Sequence, residues 1–398
     1  MKTSLIVVML AAACGKSPPA APLSPSSPVA PGSGTTAAST AELGPNDVTM
    51  IWPMPANEAQ RDSLLSASSV GAYGELLPDR VYAVPVLDER DATTTDPHAD
   101  RARLRVVAAR FEPCRASFGS AEDPDCVNQL RLVLQVLRPG GGSSGTTMGA
   151  NDGAVLVFYK LTRDELLGFA RDVAALRDKH GGDKVEVLGV HPLLAREGLG
   201  SEYAKALQAK ILEHAGADRL TRITFFMRTR AREPEWVFGA FDVKDGKAVT
   251  RPIATLGAER QTLEGAGPMK VIKPATTAKD NPGALLAVFG RREATQADRA
   301  AYAAVLRIEN PTRHTPETMA CAECHAAERM HATGVALGLS PEQFAADYYV
   351  PVVTSATVGK ISGENFHAVS YLGTNLAVST RTANDTSVVL AEMRTLLH

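Results

Sequence analysis

The sequence predicts an α+β central domain, an antiparallel sheet with a few packed helices, followed by a mainly α-helical C-terminal segment. Two observations predict the domain. Strand-like runs rich in β-branched and large apolar residues recur through residues 46–288, and an Asp-Gly pair there marks a tight hairpin. From about residue 292 the apolar residues instead recur at helical spacing, which predicts the helical segment over residues 289–398.

Composition is that of an ordinary globular protein. The chain has 398 residues, of which 44% are hydrophobic and 22% charged, so it has enough apolar material for a sizeable core. The 42 basic and 44 acidic residues give a formal net charge of -2. Nothing in this charge balance favours nucleic acid as a partner.

The first 13 residues have the pattern of a signal peptide. Lys2 forms a short basic region, and Leu5 to Ala13 form an apolar region too short to span a bilayer. The run Ala11-Ala12-Ala13-Cys14 resembles the lipobox of bacterial lipoproteins, although Ala11 stands where that family usually has Leu. The resemblance implies that Cys14 carries lipid. An ordinary signal peptide cut near Ala13 remains the alternative.

Residues 14–45 are predicted to be a lipidated cysteine and a disordered tether. The stretch from Ser17 to Thr40 is almost entirely Pro, Ser, Ala, Thr and Gly, and it cannot form a core. Gly15, rather than Asp, follows the cysteine, which by analogy with lipoproteins favours the outer membrane over the inner. We therefore expect an exported protein anchored to the cell envelope, facing the periplasm or the outside.

The remaining four cysteines fall into two pairs along the chain. Cys114 and Cys126 are close in sequence, and in an oxidising compartment they are expected to form a disulfide, although two free thiols are the alternative. Closing so short a loop stabilises a fold by roughly 2–3 kcal/mol in the chain-entropy model. Cys321 and Cys324 are then left for each other or for a cofactor.

Local signals place several elements in the central domain. Strands are predicted at 103–111, 129–136 and 154–159, and the second alternates cleanly between apolar and polar residues. One helix begins with the capping box Thr162-Arg-Asp-Glu165. A second runs from about Ser201 to Gly216, and Asp245-Gly246 predicts the hairpin.

The C-terminal segment is predicted to hold the helices "EATQADRAAYAAVLRI" and "TPETMACAECHAAERMHATG", a short helix, and a last helix near the C-terminus. In the second, Thr315 is the expected N-cap, Pro316 the first helical residue and Gly334 the stop. Cys321 would then lie about five residues inside the helix.

That helix carries Cys321-Ala-Glu-Cys324-His325, which resembles the haem-attachment motif of c-type cytochromes. The resemblance implies one covalent haem c, thioether bonds from Cys321 and Cys324, and His325 as the proximal iron ligand. From Cys321 onward the length is similar to that of a small cytochrome c domain, which implies a cytochrome c-like C-terminal segment. No family is recognised for the central domain.

Other interpretations of the motif stay open. A structural zinc site needs four ligands, so His331 or His314 would have to join the three motif residues. A redox dithiol usually has its first cysteine at a helix N-terminus, which lowers the thiol pKa. A plain structural disulfide is the third alternative.

The distal side of the haem is the least determined feature. Class I cytochromes take this ligand from a downstream methionine, and the sequence has none between Met330 and Met393. His367 and His314 are the candidate distal ligands, with an open iron position as the third alternative. Two histidine ligands would give a lower potential suited to electron relay, whereas an open position would suit binding of a small molecule such as peroxide.

The sequence thus predicts a membrane-tethered monohaem electron-transfer lipoprotein with an unidentified redox partner. The alternative is a non-catalytic envelope lipoprotein that binds another component, with a structural CxxC disulfide or zinc site. The sequence has no H-E-x-x-H metalloprotease motif. No catalytic residue is predicted, and peroxidase activity is only weakly supported.

Overall fold

A computed structural model gives the fold. It describes residues 42–84, 96–114, 126–140, 148–229, 235–253, 255–265, 269–276, 280–357, 361 and 364–398. Residues 40–398 form one compact unit. The predicted signal peptide, Cys14 and nearly all of the predicted tether lie outside the described residues.

In chain order, the strands of the described residues are β1 (Thr49–Ile51), β2 (Val70–Gly71), β3 (Gly74–Glu75), β4 (Leu104–Glu112), β5 (Asn128–Pro139), β6 (Met148–Ala150), β7 (Gly153–Leu161), β8 (Val187–Leu188), β9 (Leu220–Arg228), β10 (Trp236–Lys244), β11 (Lys247–Arg251), β12 (Arg260–Glu264), β13 (Val271–Lys273), β14 (Thr354–Ser355), β15 (Val369–Leu372) and β16 (Asn375–Val378). The α-helices are α1 (Pro45–Val48), α2 (Glu58–Asp62), α3 (Pro97–Arg103), α4 (Arg163–Lys179), α5 (Pro192–Glu197), α6 (Glu202–His214), α7 (Gln296–Glu309), α8 (Cys321–Ala336) and α9 (Thr380–Leu397).

A ten-stranded antiparallel sheet is the centre of this α+β fold. Its strand order is β1-β4-β5-β7-β9-β10-β12-β13, with β6 paired to β5 and β11 paired to β10. Strands β15 and β16 form a separate antiparallel hairpin, and β14 pairs in parallel with β8.

One face of the sheet is apolar. Leu130, Leu132 and Leu134 alternate along β5 and are fully buried. Phe111 of β4 lies opposite Leu130 of β5. Its ring packs edge to face on Phe169 of α4, with ring centroids 5.4 Å apart. Each such side chain stabilises the fold by about 1.5–3 kcal/mol. Helix α4, which packs against α6, therefore covers this face through hydrophobic burial.

The opposite face is more polar, and the C-terminal residues cover it. Gln135 of β5 bonds to the backbone of Tyr371 in β15. Thr49 of β1 bonds to Thr386 of α9 at 2.9 Å. His325 of α8 lies over two phenylalanine rings of the sheet. The sheet is thus the middle of three layers.

This arrangement shows that the predicted mainly α-helical, cytochrome c-like C-terminal segment is wrong. Residues 289–398 do contain α7, α8 and α9, but they also contain strands β14 to β16 and a 3₁₀ turn at Pro341–Phe344. Strand β14 pairs with β8 of the preceding region. Helical spacing does not specify which surface covers a helix. Here α7, α8 and α9 pack on one another, and α8 also packs on β10 and β12 of the sheet.

Several local predictions are confirmed. Thr162 and Glu165 form the reciprocal capping box at the start of α4, with bonds of 3.2 and 2.7 Å. Asp245 and Gly246 have positive φ of 52° and 70° in the β10–β11 hairpin, as a type I′ turn requires. Cys114 and Cys126 form the expected disulfide.

The predicted start of the CxxCH helix is wrong. Helix α8 begins at Cys321, with Ala320 as its N-cap. The Thr318 hydroxyl instead bonds to the backbone N–H and carbonyl of Thr315, and the Thr315 hydroxyl accepts a hydrogen bond from the N–H of Glu317. The two hydroxyls thus compete for amides that a helix would use, and the segment forms a turn. The predicted stop, Gly334, lies inside α8, where a Cβ atom would approach within 2.1 Å of the Tyr302 ring of α7. Glycine there lets the two helices pack closely.

We predict that Gln135→Leu lowers the free energy of unfolding by about 2–4 kcal/mol, because it leaves the buried N–H and C=O of Tyr371 without partners. Urea unfolding followed by circular dichroism would measure this loss. Gln208→Leu, which removes one bond to the Ser63 carbonyl at a partly buried position, is the matched control and should cost less than 1.5 kcal/mol, roughly one ordinary hydrogen bond. Equal losses in the two variants would contradict the anchoring role of Gln135.

Candidate functional site

Cys321 and Cys324 lie on the first turn of α8, three residues apart and therefore on one face of the helix. Both are free thiols and partly buried. Burial raises the pKa of Cys321 to about 12, with a further contribution from Cys324, and raises that of Cys324 to about 11. The helix start at Cys321 matches the position of a redox dithiol, but these thiols are protonated at neutral pH, unlike the reactive cysteine of such a motif.

His325 follows on the same turn and has one ring nitrogen committed. Its Nδ1 lies 2.6 Å from the carbonyl oxygen of Phe366, so Nδ1 carries the proton and donates it. Burial lowers the pKa of His325 to about 4, so the imidazole is neutral at physiological pH. Nε2 then holds the lone pair, and it has no hydrogen-bond partner among the described residues.

Aromatic rings surround this imidazole. Its centroid lies 4.8 Å from that of Phe226 and 5.0 Å from that of Phe238, two residues paired across β9 and β10. Phe366 packs edge to face on Trp236 at 4.7 Å. These rings supply the apolar surroundings that keep His325 uncharged.

Polar contacts fix the start of α8 on the sheet. The buried Gln261 of β12 accepts a hydrogen bond from the backbone N–H of Ala322 at 2.8 Å. Glu317, just before the helix, forms ion pairs of 2.6 Å with both Arg222 and Arg251 on the sheet. The motif is therefore held from a neighbouring strand and from the preceding turn.

The two candidate distal ligands have both ring nitrogens occupied. His314 bonds to Asp280 at 2.8 Å through Nε2 and to Thr318 at 3.1 Å through Nδ1. His367 is buried and contacts the same Phe226 ring as His325, at 4.7 Å. Either histidine would have to break a hydrogen bond before it could bind iron.

His367 also belongs to a buried hydrogen-bond network, Asp152–His367–Ser370, that sequence reasoning missed. Its Nε2 lies 3.2 Å from Asp152 and its Nδ1 2.5 Å from Ser370. The residue types match a Ser-His-Asp triad, and all three side chains are buried. This hydrogen-bond network joins strand β15 to the β6–β7 turn. Asp152 lies 215 residues from His367, so no local pattern could have found it.

His331, considered above as a zinc ligand, is also paired. Its Nδ1 lies 2.7 Å from Glu309 of α7, and its Nε2 lies 3.2 Å from the hydroxyl of Tyr302. Within the described ranges, no group of three or more His, Cys, Asp and Glu side chains could hold a metal ion. Met330 and Met393 are fully buried.

The residues of the motif fit a covalent haem. Two thiols that form no disulfide lie one turn apart. The next residue is a neutral histidine whose Nδ1 donates to a carbonyl and whose Nε2 has no partner among the described residues. Histidines that bind metals almost always have this second hydrogen bond. Cys14 lies outside the described residues, and no helix among those described is long and apolar enough to cross a membrane.

No protein-family model, curated protein or solved structure matches this chain. The site is therefore interpreted from its own residues and contacts.

We predict that the Glu309–His331 pair makes stability fall as pH rises. Burial lowers the pKa of His331, but the Glu309 carboxylate outweighs this and holds the pKa above its usual value. The folded state therefore keeps a proton that the unfolded state releases near pH 6.5, and this stabilisation is lost as pH rises through the folded-state pKa. Between about pH 6 and 8, the double variant Glu309→Gln/His331→Gln should flatten the decline, whose limit is about 1.4 kcal/mol per pH unit for each group. Both partners are replaced because burial also raises the pKa of Glu309, so that carboxyl alone would keep a slope of the same sign.

Urea unfolding at a series of pH values would measure the slope. His98→Gln is the control, because His98 is an exposed histidine whose Nδ1 lies near Asp79 on the surface. A slope in the double variant equal to that of the wild type would contradict the assignment.

Proposed function

We propose that this protein is an exported, lipid-anchored electron-transfer protein that carries one covalent c-type haem. Cys321 and Cys324 hold the haem through thioether bonds, and His325 is its proximal iron ligand. The observation that carries the proposal is the state of His325: neutral, with Nδ1–H donating to Phe366 and Nε2 free. A c-type site on this chain would lie between a helix and a sheet, not within a cytochrome c fold.

The residues of the site have separable roles in this proposal. The carbonyl of Phe366 fixes the tautomer and orientation of His325, and it makes the Nε2 lone pair a stronger metal ligand. The two thiols, which burial keeps protonated, would hold the haem through thioether bonds. Phe226 and Phe238 exclude water from the imidazole. Haem, when bound, supplies one-electron redox chemistry.

The hydrogen bonds of His314 and His367 favour a distal position that neither residue fills. Such a position would allow a small molecule such as peroxide to bind.

The competing proposal is a non-catalytic envelope lipoprotein in which the two motif cysteines form a structural disulfide or bind zinc. Their free thiols, one helical turn apart, favour the disulfide version. The two proposals differ in one measurable property: the competing proposal requires no covalent chromophore.

We predict that the protein, expressed with haem-attachment machinery, retains haem on a denaturing gel stained for haem peroxidase activity. Cys321→Ser together with Cys324→Ser should abolish the stain, and His325→Gln should abolish attachment or leave the iron misligated. The matched control is Cys114→Ser with Cys126→Ser, which removes the other cysteine pair and should leave the stain. His314→Gln and His367→Gln should keep the Soret band of the wild type. An unstained wild-type band would favour the competing proposal.

We also predict that the anchor depends on Cys14. Cells fed a labelled fatty acid should label the wild-type protein and place it in the outer-membrane fraction. Cys14→Ala should be unlabelled and soluble in the periplasm. Label in the Cys14→Ala protein, or none in the wild type, would contradict lipidation at this residue.

A further inference from the structure

Trp236 has a buried donor that the fold leaves unused. The residue is fully buried at the start of β10, and its indole Nε1–H has no hydrogen-bond partner among the residues that the structure describes. A buried donor without an acceptor costs about 1–3 kcal/mol, so it calls for an explanation.

Two cations lie against the same indole. The guanidinium carbon of Arg228 is 5.1 Å from the ring centroid, and Nζ of Lys270 is 5.3 Å from it. Arg228 is the cross-strand partner of Trp236, and its carboxylate contact, to Asp152, is 3.7 Å long. The Lys270 side chain is completely buried. It donates to the Gly265 carbonyl at 2.6 Å and lies 3.5 Å from the half-exposed Glu364.

Within the described part of the chain, these three donor groups have an incomplete set of acceptors. A buried ammonium is costly unless it is well paired, and a single carbonyl with a long carboxylate contact is weak compensation. Arginine, lysine and an indole N–H together match the oxygens of a carboxylate. We propose that Trp236, Arg228 and Lys270 form a carboxylate-binding subsite.

The subsite adjoins the motif. Trp236 packs on Phe366, whose carbonyl holds His325. Phe238, two residues along β10 on the same face, contacts the His325 ring. This inference rests on the proposed function for the source of the carboxylate, which is a propionate of the attached haem. A free carboxylate would use the same donors.

The first arm of the test uses the haem-loaded protein. Resonance Raman spectroscopy records the propionate-bending band, which shifts when a hydrogen bond to the propionate is lost. Trp236→Phe and Arg228→Gln should each shift this band and lower the reduction potential, because the propionate charge is less well compensated. Trp52→Phe is the matched control, since Trp52 is the other tryptophan and also has a buried, unpartnered indole N–H. Its band should not move, and thermal unfolding would verify that each variant is folded.

The second arm uses haem-free protein with Cys321 and Cys324 replaced by Ala. With Trp52→Phe in the same chain, Trp236 is the only tryptophan, so its fluorescence reports on the subsite. Sodium propionate should change the emission saturably, and Arg228→Gln should weaken this binding at least tenfold, as expected for loss of a charged partner.

The outcomes separate the two proposals. If the haem attaches but the Raman band moves in neither variant and propionate leaves the emission unchanged, the subsite is overturned and the haem proposal stands. If no haem attaches but propionate binds in an Arg228-dependent way, the haem proposal fails and the subsite stands for a free carboxylate. If neither occurs, both are overturned.

Discussion

The hydrogen bond between Nδ1 of His325 and the carbonyl of Phe366 is the contact on which the site depends. It joins α8 to the segment that leads into the β15–β16 hairpin, and it determines which ring nitrogen carries the proton. Without this hydrogen bond, the proton could occupy either ring nitrogen. Burial among phenylalanine rings adds the second constraint, because it keeps the imidazole uncharged.

The difference between the two faces of the sheet explains how such a site coexists with a stable core. The face under α4 is closed by leucine and phenylalanine side chains and needs no specific polar contact. The other face meets α8, α9 and the β15–β16 hairpin through directed contacts such as those of Gln135, Gln261 and Thr49. Because hydrogen bonds are directional whereas hydrophobic burial is not, the second interface fixes side-chain positions more tightly.

The features that sequence reasoning predicted are local ones. The Thr162 capping box, the Asp245-Gly246 turn and the pairing of Cys114 with Cys126 involve residues close in the chain, and their physical cause is readable in a short window. The placement of the C-terminal helices depends on which apolar surface covers their stripes, and periodicity does not specify the partner surface. The hydrogen-bond partners of His314 and His367 lie 34 and 215 residues away, so a short window of sequence does not reveal them either.

The central claim is that Cys321, Cys324 and His325 hold a covalent haem. Intact-protein mass spectrometry of the denatured wild-type protein, purified from cells with haem-attachment machinery, tests it most directly. We expect the mass of the chain to be increased by one haem, and the increase to lie in the peptide that contains both motif cysteines. A mass equal to that of the unmodified chain, or reduced by the two hydrogens of a Cys321–Cys324 disulfide, would contradict it.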